Sequence, residues 1–215
     1  MKKPIEVLNQ WLSGIDGRYP ADWSLLPDIG LYMDQVQTYI DRQLGLYRRD
    51  EQDRFLTPAM INNYIKDDLI PRAESKKYSP VHLALLIMIA TLKQVLSMQH
   101  LNRLLSGYRK TEDVSALYAQ FLTVQHQCLQ DSVTKVREET EQLLLSASDS
   151  PDNTRTEKKE KDQTAALREM ALELSIEART KILIAEKILS ILHEDQEPAD
   201  VETKKSESRK KEKTR

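Results

Sequence analysis

Apolar residues recur along this chain at steps of three and four, and this spacing divides it into helices. A short helix is predicted from about Pro4 to Leu12. Ile29, Met33, Val36, Ile40 and Leu44 then define one face of a helix ending near Gly45. Thr57-Pro58 marks the next start, because a Thr side chain accepts from a free first-turn N–H and Pro lacks a donor that would have had no partner. Met60, Ile61, Tyr64 and Ile65 form the inner stripe of that helix. Ser79-Pro80 repeats the signal ahead of Val81 to Leu96, which is too apolar all round for a surface element and predicts the central core helix. Ser97 opens a brief helix carrying Met98, Leu101, Leu104 and Leu105 that stops at Gly107. From Thr111, with Glu112 and Asp113 in the first turn, Val114, Leu117, Phe121, Val124, Cys128, Val136 and Leu143 keep roughly one face to about Leu145. A last stripe runs through Leu167, Ala171, Leu174, Ala178, Ile182, Ala185, Leu189 and Leu192.

The segments between these stripes give the expected organisation. Residues 1–27 are a lead-in, and residues 28–110 a compact unit whose only sheet is a small wing around the exposed turn Arg72 to Lys77. Leu46 to Phe55 is a polar connector within it. Residues 111–146 form a long helix suited to dimerisation. Residues 147–163 have the composition of a flexible linker, 164–193 an amphipathic helix, and 194–215 a disordered, mixed-charge tail. The final stripe needs a partner, within the chain or in another subunit, and an apolar ligand site between the last two long helices is compatible with the pattern.

Composition narrows the class. The chain has 215 residues, five glycines, and 32 basic against 34 acidic residues, a balance suited to a soluble, mostly helical protein. A lone cysteine, Cys128, forms no internal disulfide, the longest apolar run is too short to span a bilayer, and nothing at the N-terminus resembles an export signal. A cytoplasmic protein is expected. The near-neutral total hides a basic stretch: residues 41–110 hold twelve basic and seven acidic side chains, a local +5.

On the Thr57 helix the inner stripe leaves Asn62, Asn63 and Lys66 outward. Asn pairs with adenine edges in the major groove, each bidentate contact contributing roughly 1 to 3 kcal/mol of discrimination, and Lys holds a phosphate. Arg54, Arg72, Lys76 and Lys77 flank the helix as further phosphate contacts, Thr57 caps it, and Tyr78 stands at the end of the wing, to pack or to touch DNA backbone. The basic residues of Lys204 to Arg215 would add non-specific attraction to phosphate.

Residues 28–106 resemble the bacterial domain-of-unknown-function family numbered 1836, itself similar to the winged helix-turn-helix of MerR-type transcription regulators. The resemblance rests on Leu26-Pro27-Asp28, Tyr32-Met33-Asp34-Gln35-Val36, Leu56-Thr57, Met60-Ile61-Asn62-Asn63-Tyr64, Lys76-Lys77-Tyr78-Ser79, His82-Leu83, Leu92-Lys93 and Leu96-Ser97. It implies a mainly α fold, a MerR-like winged helix-turn-helix followed by long C-terminal helices. It further implies a homodimeric transcriptional regulator on double-stranded DNA, with the Thr57 helix in the major groove and the wing against backbone. The chain departs from the MerR pattern at Asn62-Asn63-Tyr64, where an Arg and an aromatic pair usually stand, and at Asp68, where Gly is usual. Asp tolerates positive φ better than most residues.

Catalysis is not expected. There is no Gly-rich phosphate loop, no Cys-x-x-Cys and no His-Glu-x-x-His. His126 and Cys128 lie two apart on a helix and point in different directions. No cofactor or metal is implied. The alternative to a DNA-binding regulator is a helical interaction or adaptor protein that keeps the winged-helix shape and uses the 164–193 stripe to dock a protein partner.

Overall fold

Each of the Pro-led helices begins where its cap predicts. The computed structural model describes residues 4–15, 17–48, 54–105, 107–108, 110–148 and 156–194. In chain order its helices are α1 (Pro4–Ile15), α2 (Met33–Gln43), α3 (Pro58–Lys66), α4 (Pro80–Leu92), α5 (Met98–Leu105), α6 (Thr111–Ser148) and α7 (Thr156–Glu194). Single 3-10 turns lie at Trp23–Leu25 and Gly45–Tyr47. The protein is thus mainly helical. Among the described residues there is no strand. The sheet expected at the wing is reduced to two isolated antiparallel bridges, Leu31 with Tyr78 and Glu74 with Lys77.

Helix α4 is the centre of the main core, with His82 through Ala90 buried without a break. Around it gather Val36 and Ile40 of α2, Ile61 and Tyr64 of α3, Leu101 and Leu105 of α5, and Val114 and Tyr118 of α6. Each such aliphatic side chain contributes about 1.5 to 3 kcal/mol on burial. The core therefore runs past the expected boundary at residue 110. The first turns of α6 complete it, and the Tyr118 hydroxyl donates to the Ala21 carbonyl at 2.8 Å. Burial pushes that phenol well above its ordinary value, so it remains a donor.

A second, smaller cluster joins three helices: Leu12 and Ile15 of α1, Val136 of α6 and Met170 of α7. Polar contacts reinforce it. Thr140 bonds Asn9 at 3.1 Å, Arg137 donates to the Leu12 carbonyl at 3.3 Å, and Lys135 pairs with Glu173 at 2.7 Å. The α1 part of the lead-in is therefore tied down. Helix α7 begins at Thr156, inside the span 147–163 expected to be a flexible linker. Residues 156–163, Thr-Glu-Lys-Lys-Glu-Lys-Asp-Gln, are good helix formers with opposite charges three and four apart, which favours helix over coil. The rest of that linker, 149–155, and the tail beyond Glu194 lie outside the described residues.

Candidate nucleic-acid interface

Local chemistry sets both ends of α3. At its start Thr57 is extended, φ −102° and ψ 159°, and its Oγ1 accepts from the Met60 N–H at 3.2 Å. At its end the Leu69 N–H reaches the Tyr64 carbonyl at 2.8 Å and the Asp68 N–H reaches Ile65 at 3.2 Å. This is a Schellman closure, and Asp68, at φ 54°, occupies the left-handed position where Gly is usual. Leu69 and Tyr64, both buried, supply the apolar contact that accompanies it. A nine-residue helix with a fixed start and a fixed stop results.

Three long-range bonds hold this helix against the core. Gln37 of α2 is buried and donates from Nε2 to the Leu56 carbonyl at 2.9 Å, one residue before the cap. Lys93, just past α4, donates to the Phe55 carbonyl. Asn102 of α5 reaches the Asp67 carbonyl at 3.4 Å, beside the closing turn. Ile61 and Tyr64 face inward, leaving Asn62, Asn63 and Lys66 exposed. The polar outer face anticipated from the spacing is present.

The chain after α3 makes a tight turn. Ser75 and Lys76 both have positive φ, 49° and 64°, and the Lys77 N–H donates to the Glu74 carbonyl at 2.8 Å. This φ pattern is that of a two-residue type I′ hairpin turn. Its stem rests on Leu31, which exchanges both backbone bonds with Tyr78, N to O at 3.0 Å and 2.8 Å. Gly30 is required here: a Cβ built at this position would lie 2.7 Å from the Lys77 Cβ. Lys77 also places its Nζ 5.8 Å from the Tyr32 ring centroid. Arg72, Lys76 and Lys77 are exposed, as is Arg54 on the far side of the cap.

Tyr78 departs from the expected site. It is 4% exposed, edge-on to His82 at 5.4 Å, and so packs without offering a surface to a ligand. The bridge to Leu31 and the alternation along the turn send its side chain inward while its neighbour Lys77 points out. His82 accepts at Nδ1 from the Ser79 N–H at 3.0 Å, closing a capping box on α4. Its pKa is lowered, first by burial, against the opposing pull of the Arg72 and Pro71 backbone and Glu74. Thr57 is exposed, but its hydroxyl oxygen is engaged in the cap.

Five cationic side chains, Arg54, Lys66, Arg72, Lys76 and Lys77, therefore lie exposed along residues 54–77, with Asn62 and Asn63 among them. Asp67, Asp68 and Glu74 are exposed in the same stretch and reduce its net charge to +2. Among the described residues no group of three or more His, Cys, Asp or Glu is placed to hold a metal, and no helix is long and apolar enough to cross a membrane. An apolar cavity of about 690 Å³ opens between α4, α5 and α6, against Met88, Leu92, Leu105, Leu117 and Phe121. Helix α7 lines none of it, unlike the ligand site imagined between the last two long helices.

These features define a class: a mainly helical domain that presents one short, capped helix with a polar outer face, followed along the chain by a tight cationic turn. Residues 21–121 match the model of the family described as "Domain of unknown function (DUF1836)". The match begins at Ala21 and ends three residues past Tyr118, so the Tyr118–Ala21 bond ties its two ends together. No curated protein and no solved structure matches the chain.

Proposed function

We propose that this protein is a transcriptional regulator that binds double-stranded DNA sequence-specifically as a homodimer, through a MerR-like winged helix-turn-helix. The supporting observation is the pairing of Asn62 and Asn63, exposed on α3, with the flanking exposed cations Arg54, Lys66, Arg72, Lys76 and Lys77. In this reading α3 enters the major groove, the two Asn amides read base edges, and the cations set register on phosphates. The Glu74–Lys77 turn serves as a short wing. Tyr78 supports it from within.

The modest local charge predicts a shallow salt dependence. Each Lys that neutralises a phosphate steepens the slope of log K against log salt by about one. Lys76→Gln with Lys77→Gln is therefore expected to flatten that slope by about two while keeping the preferred sequence, in a fluorescence-anisotropy titration at several salt concentrations. An unchanged slope would remove the wing from the interface.

A second reading is favoured by one observation: α7 carries several half-exposed Leu and Ile residues. A helical adaptor that keeps the winged-helix shape would dock a protein there and show no DNA sequence preference.

A further inference from the structure

The main core is left incomplete along one side. Between the last turn of α4, the last turn of α5 and residues 117–132 of α6 lies the cavity of about 690 Å³. Protein interiors close to the density of organic crystals and keep few voids larger than a water molecule. Apolar cavities of about 150 Å³ already take up benzene, and small-molecule sites span about 300 to 1,000 Å³. The space is therefore of the size that holds a small molecule.

The chemistry of its walls narrows what fits. Charged residues make up 31% of the chain, yet none of the side chains that line the cavity is charged. An ionic ligand would lose its hydration there and gain no counter-charge. Met88 and Leu105 on the wall are buried, and Leu92, Leu117 and Phe121 are partly buried. Two of the lining hydroxyls are already engaged: Thr91 donates to the Ile87 carbonyl at 2.9 Å and Ser132 to the Cys128 carbonyl at 2.8 Å, each within its own helix. Gln125 and Tyr47 also line the cavity, and Gln125 donates from Nε2 to the Tyr47 hydroxyl at 2.9 Å. That bond fixes one end of the amide and leaves the other unused. Gln125 Oε1 is buried and meets no donor among the described residues. A buried acceptor in that state is destabilising, and a molecule in the cavity that brings a donor removes the deficit.

We propose that this cavity binds a neutral, largely apolar small molecule with one hydrogen-bond donor, a hydroxyl or an N–H, that donates to Gln125 Oε1. The apolar body of the ligand lies against Met88, Leu92, Leu105, Leu117 and Phe121, and the half-exposed Val124 stands at the rim. The site goes beyond the proposed function and needs no DNA, so the failure of either leaves the other standing.

The test titrates the full chain with N-phenyl-1-naphthylamine, a neutral, apolar fluorescent probe with one N–H. Beside it runs N-methyl-N-phenyl-1-naphthylamine, which has the same rings and no donor. The parent is expected to bind the N–H probe saturably, one per chain, and about two- to tenfold more tightly than the N-methyl probe, the net effect of one hydrogen bond. Gln125→Leu is expected to bring the two affinities together. Val124→Trp, which adds a large ring at the rim, is expected to weaken both probes about tenfold or more while circular dichroism retains the helix content. No saturable binding, equal affinity of the parent for the two probes, or a preference that survives Gln125→Leu would overturn the proposal. So would binding unchanged by Val124→Trp, which would place the probe on the exposed apolar residues of α7. A Val124→Trp chain that loses the probe and also falls from dimer to monomer mass by light scattering would overturn it as well, because a second copy then fills the space. If either variant loses helix content, the comparison of the two probes on the parent decides.

Discussion

Gln37 is where the body of the molecule grips the helix proposed to read DNA, and its loss has a calculable cost. The side chain is 8% exposed and its Nε2 donates at 2.9 Å to the carbonyl of Leu56, itself 1% exposed. Gln37→Leu keeps the bulk of the side chain and removes the donor. A buried carbonyl left without a partner costs about 1 to 3 kcal/mol. For a cooperative unit of this size that corresponds to a midpoint fall of about 2 to 4 °C for each kcal/mol. Gln37→Glu goes further, because a carboxylate is aimed at a carbonyl oxygen in a buried place. Its folded pKa must rise above the ordinary value of about 4.3, since only the protonated acid can donate. A raised folded pKa gives stability that is present below the unfolded pKa and lost as pH rises through the folded one. Gln37→Glu is therefore expected to be the weaker of the two at neutral pH and to gain on Gln37→Leu as pH falls toward about 4. Urea unfolding followed by circular dichroism across that range measures both effects. A Gln37→Leu cost under about 0.5 kcal/mol, or no convergence of the two variants in acid, would mean that the Gln37–Leu56 bond does not hold the start of α3.

Gly30→Ala places a Cβ 2.7 Å from that of Lys77, and the backbone bridge leaves little freedom to retreat. It is expected to cost about 1 to 3 kcal/mol, measured as a fall in thermal midpoint, with a double-mutant cycle to Lys77→Gly showing coupling. His82 is neutral in the fold because burial lowers its pKa. Its contribution to stability is complete above the ordinary value of about 6.5 and is lost as pH falls through the lowered folded value. His82→Gln keeps a capping-box partner for Ser79 and removes the titration. Urea midpoints for this variant are expected to vary less than the parent's between about pH 7 and pH 5.

The parts of the fold that local chemistry decides were legible in the sequence. Thr57-Pro58 and Ser79-Pro80 announce their helices because caps act over three or four residues, and Asp68 takes the positive φ that its place after α3 demands. The burial of α4 was legible because its apolar residues leave no polar face. What periodicity cannot carry is partner choice across the chain. Gln37 meets Leu56 nineteen residues away, Lys93 meets Phe55 thirty-eight away, and Tyr118 meets Ala21 ninety-seven away. Which of its two expected roles Tyr78 takes is decided at the same range: its orientation follows from a bridge to Leu31. On α7 the Leu167 to Leu189 stripe follows from spacing, whereas the half-exposed Leu172, Ile176, Leu183 and Ile184 lie off that stripe and no local pattern says what they meet. In the candidate site the outward Asn62, Asn63 and Lys66 followed from spacing, whereas the anchors that hold α3 had no local signal.

Whether α3 reads bases is decided by binding-site selection from random duplex DNA with the full chain, run beside Asn62→Ala with Asn63→Ala. Both side chains are exposed, so the variant should fold unchanged. The account predicts enrichment of a two-fold-related motif by the parent and loss of base preference in the variant, each lost bidentate contact removing roughly 1 to 3 kcal/mol of discrimination. No enriched motif, or the same motif selected equally well by the variant, would contradict it.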